Sequence, residues 1–269
     1  MKISKKWLSQ YMDLGDRSME EIAQAITDAG FEVEDVLPMA QGTNLVIGEV
    51  LTCEDHPDSD HLHVTTVDTG EGIRQIVCGA PNVAAGQKVI VALPGAKLPG
   101  GEIKSGNIRG QKSDGMICAL FELGVDRHAL RQDQIDGIEV LPSDAPVGNH
   151  DPLGYLGLDD VVLDISLTPN RADCQAAWNM ATEIAAILDV DYTLPNCAGV
   201  ASGKDDVPSA LQINSQTEKC PHFLGKVIGS VTIHESPKWM KELLRASGIH
   251  SINNVVDISN IVMLETGQP

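Results

Sequence analysis

The sequence predicts an α+β, multidomain protein in which a small β-barrel is inserted into a helical domain and followed by the start of an α/β unit. Three observations carry this expectation. Near residue 41 the texture changes from helix-forming to short Val- and Ile-rich runs separated by Gly, Pro and Asp turns. After Asp151 helical spacing returns, and at 196–208 a stretch rich in Gly, Ser and Asp sets off a third patterned segment. With 269 residues, 42% of them hydrophobic, the chain can bury two or three cores.

The opening segment suggests two short helices, one over 4–11 and a firmer one from Ser18. Ser18 and Glu21 form a capping-box pair, Met19, Ile22, Ala23 and Ile26 share a face, and Gly30 supplies a left-handed stop. FEVEDVLP then alternates as a strand does, and Pro38 ends it. Five candidate strands follow at 44–52, 62–69, 73–78, 87–93 and 108–117. In the second, Leu62 and Val64 face one way and His61, His63 and Thr65 the other. Five short strands with long turns suit an OB-fold barrel, because closing the sheet removes the exposed edges.

From Asp173, a good N-cap, the residues Ala177, Met180, Ala181, Ile184, Ile187 and Leu188 trace an apolar stripe at helical spacing. The opening segment is too small to bury much alone, so it is expected to pack on this helix. The result is one discontinuous domain, 1–40 and 152–195, interrupted by the barrel at 41–151. The third domain, 200–269, shows strand-like runs at 211–214 and 223–233. It also holds a helix capped by Ser236, with Pro237 in its first turn, Trp239, Met240, Leu243 and Leu244 along it, and Gly248 at its stop. Its pattern reaches Gln268-Pro269 without a closing element, as in part of a longer chain.

A net charge of -19 opposes any polyanion, and 3% aromatic residues leave few rings for stacking bases. The charge is uneven, however. Lys88, Lys97, Lys104, Arg109 and Lys112 share their stretch with a single acid, Glu102. Six cysteines without a CxxC pair read as reduced thiols. The lysine-bearing start lacks an apolar run, and no stretch of about 18 apolar residues occurs, so a cytoplasmic protein without a membrane partner is expected. Asp55, His56, Asp58, Asp60, His61 and His63 have the donor types for zinc or manganese. Pro57 and Ser59 mark a turn there, and the stretch reads as a solvated polar loop.

Three stretches together resemble one family, the β subunit of bacterial phenylalanyl-tRNA synthetase. HPDSDHLHV, IVCGAPNVAAGQKVIVALPGAKLPGG and IRGQKSDGMICALFELG are similar to a tRNA-binding OB-fold. LDISLTPNRADC resembles a signature of the β subunit's first domain, which the resemblance makes winged-helix-like. CPHFLGKVI with WMKELLRASGIHSINNVVDISNIVMLETGQP resembles the opening of its editing domain. The chain departs from the family at His61 and His63, where Lys and Arg are usual, and at Ala119, where Ser is usual. It departs again at Gln175 to Trp178, and at Ser259 and Ile261 in place of Thr and Tyr.

An OB barrel binds oligonucleotides across one face, so Lys88, Lys97, Lys104, Arg109 and Lys112 are the expected phosphate contacts, positioning tRNA without reading sequence. Asn82, in the turn GAPNV, either donates to the RNA backbone or a 2′-hydroxyl, or caps its own turn. A pocket for phenylalanine rejects tyrosine poorly by shape, and a second, hydrolytic site is one remedy. The resemblance implies that such a site begins in the third domain. Arg245 would lie near the tRNA end, with Ser259 and Asn260 as polar groups for substrate or water; the alternative is that these residues cap or pair within helices. The family's editing histidine and glutamate match no residue here, so the chain is not expected to edit alone. No phosphate loop or dinucleotide fingerprint is present, and no catalytic or metal residue is expected. The resemblance gives ATP and Mg2+ to the whole enzyme, with activation on an α subunit in an α2β2 heterotetramer that charges tRNA(Phe). The rival readings are a stand-alone tRNA-binding or chaperone-like module, which needs neither NRADC nor the editing-domain opening, and a metal-dependent hydrolase using the His-rich turn.

Overall fold

A computed structural model describes residues 1–196 and 211–268. The expected linker at 196–208, apart from Asn196, lies outside the described residues, as does Cys197. The chain opens with β1 (Lys2–Ser4) and a single turn, α1 (Lys5–Leu8), shorter than the helix expected over 4–11. Helix α2 (Met19–Asp28) begins at the expected capping box: Ser18 Oγ accepts from the Glu21 amide at 3.1 Å, and Glu21 Oε2 accepts from the Ser18 amide at 2.8 Å. Such a cap contributes about 1 kcal/mol. Met19, Ile22, Ala23 and Ile26 turn inward, and β2 (Glu32–Pro38) follows.

The second unit begins with a long strand, β3 (Leu45–Asp55), followed by β4 (His63–Asp68), β5 (Ile73–Cys78) and β6 (Lys88–Ala92). Two small hairpins come next, β7 (Lys97–Leu98) with β8 (Gly101–Glu102), and β9 (Gly106–Ile108) with β10 (Gln111–Ser113). Then come β11 (Met116–Ile117), the short helix α3 (Gln132–Asp136), β12 (Val140–Leu141) and α4 (Pro152–Leu156). The strand expected over 108–117 is therefore broken. Arg109 and Gly110 both take positive φ, +47° and +87°, which makes a tight hairpin turn, and Gly115 breaks the chain again before β11.

The sheet has the order β11-β6-β3-β4-β5, with β12 also paired to β6. A closed barrel is not found among the described residues. The ends of the ladder meet through isolated hydrogen bonds: Asp114 donates its amide to Gln75 O at 2.8 Å, and Val77 donates to Ser113 Oγ at 3.1 Å. A bulge between Val50 and Thr52 bends β3, leaving Leu51 exposed. Gly48 is required where strands crowd, since a Cβ there would stand 2.9 Å from Val67 Cγ1 and 3.0 Å from Asp68 O. Alternate residues of β3 and β6 feed two cores. Leu45, Ile47, Ile90 and Ala92 join Leu120, Leu123 and Leu158 on one side, and Val46, Val50, Val89 and Val91 join Val67, Ile76 and Ile138 on the other.

The chain then returns to the first unit. β13 (Val161–Ser166) inserts antiparallel between β1 and β2, pairing Leu163 with both Ile3 and Val36. A 3-10 stretch (Pro169–Gln175) leads into α5 (Ala177–Leu188). The expected stripe holds, with Ala177, Met180, Ala181 and Ile184 buried and Ile187 and Leu188 partly so, but Ala176, not Asp173, occupies the cap position.

In the third segment, 211–214 and 223–233 are not in strands, and Phe223, Leu224 and Ile228 are exposed. Alternation alone does not hold a strand, because its backbone groups need a neighbouring ladder. The helix expected after Ser236 is α6 (Lys238–Ala246), with Pro237 at the cap position and Gly248 left-handed beyond its end. The run to the terminus folds as α7 (Asn254–Thr266), capped by Asn253 Oδ1, which accepts from Val255 and Val256. Both helices join the first core: Met240, Leu243, Leu244 and Ile261 pack with Trp7, Ile22, Leu163 and Ile184. A partly buried relay reinforces this, since Trp7 Nε1 donates to Tyr11 Oη at 2.7 Å and Tyr11 donates to Glu265 Oε1 at 3.0 Å.

Because Leu244 is fully buried in that shared core, Leu244→Ala is expected to destabilise the protein by about 2–5 kcal/mol. Trp239→Ala, on the exposed face, is expected to change stability by no more than about 0.5 kcal/mol. Urea unfolding followed by far-ultraviolet circular dichroism checks both, and equal effects would remove α6 from the core.

Candidate nucleic-acid interface

Of the five cations singled out in the sequence, Lys97, Lys104, Arg109 and Lys112 are exposed. Three of them gather on one feature. Lys104 lies two residues before the β9–β10 hairpin, Arg109 sits in its turn and Lys112 lies on β10 opposite Asn107, while Lys97 lies on the β7–β8 hairpin opposite Glu102. Lys88 is placed differently. It stands opposite Glu49 in the β3–β6 ladder, its side chain is only 14% exposed, and its ammonium is paired with the Glu49 carboxylate. Asn82 is also engaged: Nδ2 donates to Ile138 O and Oδ1 accepts from the Ile138 amide, both at 2.9 Å. That clamp is tight enough that a Cβ on Gly137 would meet Asn82 Oδ1 at 2.3 Å.

The His- and Asp-rich turn is a brace for the hairpin. His56 is buried; its Nδ1 accepts from the Asp58 amide at 3.1 Å, which assigns the proton to Nε2, 3.2 Å from Ile108 O. Arg109 Nη1 donates to Asp58 O at 3.1 Å. His61 pairs with Asp60 and His63 with Asp55, on the exposed side of the loop. Between the braced hairpin and the clamped 135–138 segment lies a groove of about 590 Å³, lined by residues such as Leu62, Lys104, Ile108, Met116, Phe121 and Glu122. Burial raises the Glu122 carboxyl above the usual carboxylate range, even though the Ala119 amide donates to it.

Among the described residues, one trio brings metal-ligand atoms together: Asp173, Cys174 and Glu183. The Arg171 guanidinium already serves them. Nη2 lies 3.1 Å from Asp173 Oδ2, 2.7 Å from Glu183 Oε1 and 3.0 Å from Cys174 Sγ, and the guanidinium stacks 4.6 Å from the Phe31 ring centroid. Burial pushes the Cys174 thiol up to about 11, so a thiolate ligand is disfavoured. The NRADC stretch thus carries a cation that ties the 3-10 segment to α5 and to Phe31.

In the third segment, Arg245 and Ser259 have separate hydrogen-bond partners. Arg245, in the last turn of α6, donates from Nη1 to Leu156 O at 3.3 Å, and Ser259 Oγ donates to Val256 O at 2.7 Å within α7. Asn260 lies partly buried beside Ser259 on the same helix. The group that organises this region is one that sequence reasoning passed over. Asp257 is fully buried and accepts from Ser236 Oγ, Ser251 Oγ and the Ile252 amide. An acid inside an apolar stripe with hydroxyls flanking it was the available signal.

Comparison with known proteins matches residues 45–150 to a family described as "Putative tRNA binding domain", and residues 219–269 to one described as "B3/4 domain". The phenylalanine–tRNA ligase β subunit of Geobacillus kaustophilus is 47% identical over all of this chain, and that of Streptococcus pneumoniae R6 is 45% identical over all of it. The chain belongs to the phenylalanine–tRNA ligase β-subunit family. It spans 34% and 33% of the lengths of those two relatives. Among solved structures, a MetRS-related protein from Pyrococcus horikoshii is 24% identical, covers 39% of this chain and 84% of its own, and gives a TM-score of 0.28. The C-terminal domain of Plasmodium vivax p43 is 25% identical, covers 39% and 56%, and gives 0.28. In this family member the tRNA-binding match contains every predicted cation, and the B3/4 match contains Arg245, Asp257, Ser259 and Asn260.

Burial alone would raise the Asp257 pKa, but the hydrogen bonds from Ser236, Ser251 and Ile252 outweigh it and hold the carboxyl below the usual carboxylate range. A depressed folded pKa contributes stability that is complete above the unfolded value, about 3.9, and is lost as pH falls through the folded value. Asp257→Asn is therefore expected to be less stable than the parent at pH 7. The deficit should narrow below about pH 4, as thermal unfolding across pH would show. A deficit independent of pH would separate Asp257 from the acid limb.

Proposed function

We propose that the chain is the tRNA-handling N-terminal part of a phenylalanine–tRNA ligase β subunit. Its divisions on this reading are a discontinuous helical, winged-helix-like domain at 1–40 and 152–195, an OB-type tRNA-binding domain at 41–151, and the first part of an editing domain at 200–269. The observation that carries the reading is that the segment matched as tRNA-binding presents Arg109 and Lys112 on one exposed hairpin, with exposed Lys104 two residues before it. Phosphate contacts of this kind position an RNA by shape.

On this reading the hairpin cations, with Lys97 beside them, meet the sugar-phosphate chain of tRNA(Phe), while Lys88 and Asn82 serve the sheet and the groove wall. An α subunit in an α2β2 assembly would carry ATP- and Mg2+-dependent aminoacylation in the cytoplasm. The chain's own cluster of metal-ligand atoms does not fit Mg2+, because the Arg171 guanidinium already pairs with its carboxylates and fills it with positive charge. Arg245, Ser259 and Asn260 would contribute to removal of tyrosine wrongly joined to tRNA(Phe). That function needs Arg245 to exchange its Leu156 contact for the tRNA end.

Replacing both Lys104 and Arg109 by Ala is expected to weaken tRNA(Phe) retention and to reduce the slope of log affinity against log salt by about 1 for each phosphate no longer neutralised. Lys88→Met should leave that slope unchanged, because Glu49 already neutralises the ammonium. Filter binding at several salt concentrations measures both. An unaltered slope in the double variant would remove the hairpin from the interface.

A further inference from the structure

We propose that the groove beside the cationic hairpin seats one splayed-out nucleobase of the bound tRNA, stacked on Phe121 and held by its exocyclic amino group on Glu122 Oε1. This rests on the tRNA-handling reading and adds base contact to a surface expected only to track phosphates.

The groove is divided in the way a single nucleotide is divided. At its rim stands Lys104, with Arg109 next to the lining residue Ile108. Inside, Leu62, Ile103, Met116, Ile117 and Ile138 supply apolar walls, and Phe121 is the one aromatic ring among the lining residues. One face of that ring carries the Arg127 guanidinium, 4.4 Å from the centroid, which fixes the ring's plane. Glu122 is half-buried in the same wall. Its Oε2 accepts from the Ala119 amide at 2.7 Å, and its Oε1 has no partner among the described residues.

These features select the occupant. A phosphate inside the groove would face the carboxylates of Glu102, Glu122 and Asp136, whereas one at the rim meets cations. A flat base needs apolar walls and a ring on which to stack, and stacking tolerates any base. A carboxylate acceptor then favours bases that carry an amino donor, namely guanine, adenine or cytosine, over uracil. The groove's shape is also set in advance. Asn82 clamps one wall through Ile138, His56 holds the other through Ile108, and Ser113 joins the floor by accepting from Val77 and donating to Gly115 O.

The test combines affinity with nucleotide-resolved chemical probing of tRNA(Phe) bound to this chain, to Glu122→Gln and to Phe121→Leu. Gln retains an acceptor for the Ala119 amide, so the turn it caps is kept. One amino-bearing base should be protected at its Watson–Crick edge by the parent and should lose that protection with Glu122→Gln. Phe121→Leu should weaken binding about tenfold with the salt slope unchanged. Binding of normal salt dependence with no protected base, protection of a uracil, or an identical footprint for Glu122→Gln would overturn the base seat while leaving the tRNA reading intact. Absence of any tRNA binding would overturn both.

Discussion

The arrangement depends on one pairing: β13, arriving from residue 161, completes a sheet between β1 and β2, whose residues lie within the first 38. Neither β1, at three residues, nor β2 could stand alone, because a short isolated strand leaves its backbone groups without a ladder. The six-stranded unit is therefore a closed excursion whose two ends are brought together by hydrogen bonds outside it. The same pairing orients α5 over α2 and leaves an apolar face that α6 and α7 cover. Lys238 and Arg245 of α6 reach the carbonyls of Tyr155 and Leu156, at the end of α4, so the third segment touches the chain just where it re-enters the first unit.

What the sequence made legible was local. Ser18 and Glu21 are three residues apart, so their reciprocal cap could be read directly, and the stripe from Ala177 to Ile184 repeats every turn. Lys104, Arg109 and Lys112 are exposed, although the sequence placed Arg109 and Lys112 within one strand. What escaped was set by distant partners. Lys88 looks like any other lysine of its run, yet Glu49, 39 residues earlier, claims it through strand register. Asn82 was open between two roles until Ile138, 56 residues on, supplied both a donor and an acceptor. Ser236 was expected as a helix cap, but its hydroxyl is drawn to the buried carboxylate of Asp257. The strand expected over 108–117 failed for a different reason: left-handed Arg109 is a backbone state that composition does not reveal.

The net charge of -19 and the cationic hairpin are compatible because electrostatics in salt is local. At physiological ionic strength a charge is screened over roughly 8 Å, so the potential at the hairpin is set by its neighbours and not by the sum over the chain. Of the acids beside the hairpin, Asp114 is paired, while Glu102 stays exposed opposite Lys97. Asp114 accepts from Ser105 and Arg74, which hold its carboxyl below the usual range, and Asp58 presents its carbonyl, not its carboxylate, to Arg109. Elsewhere acids dominate, as on Glu20, Glu34 and Asp35 along the groove between α2 and β2. A polyanion approaching that side meets like charge, and one approaching the hairpin meets exposed Lys104, Arg109 and Lys112. The excess of acid thus disfavours encounters elsewhere, and a chain whose composition argues against polyanions can still offer one a cationic face.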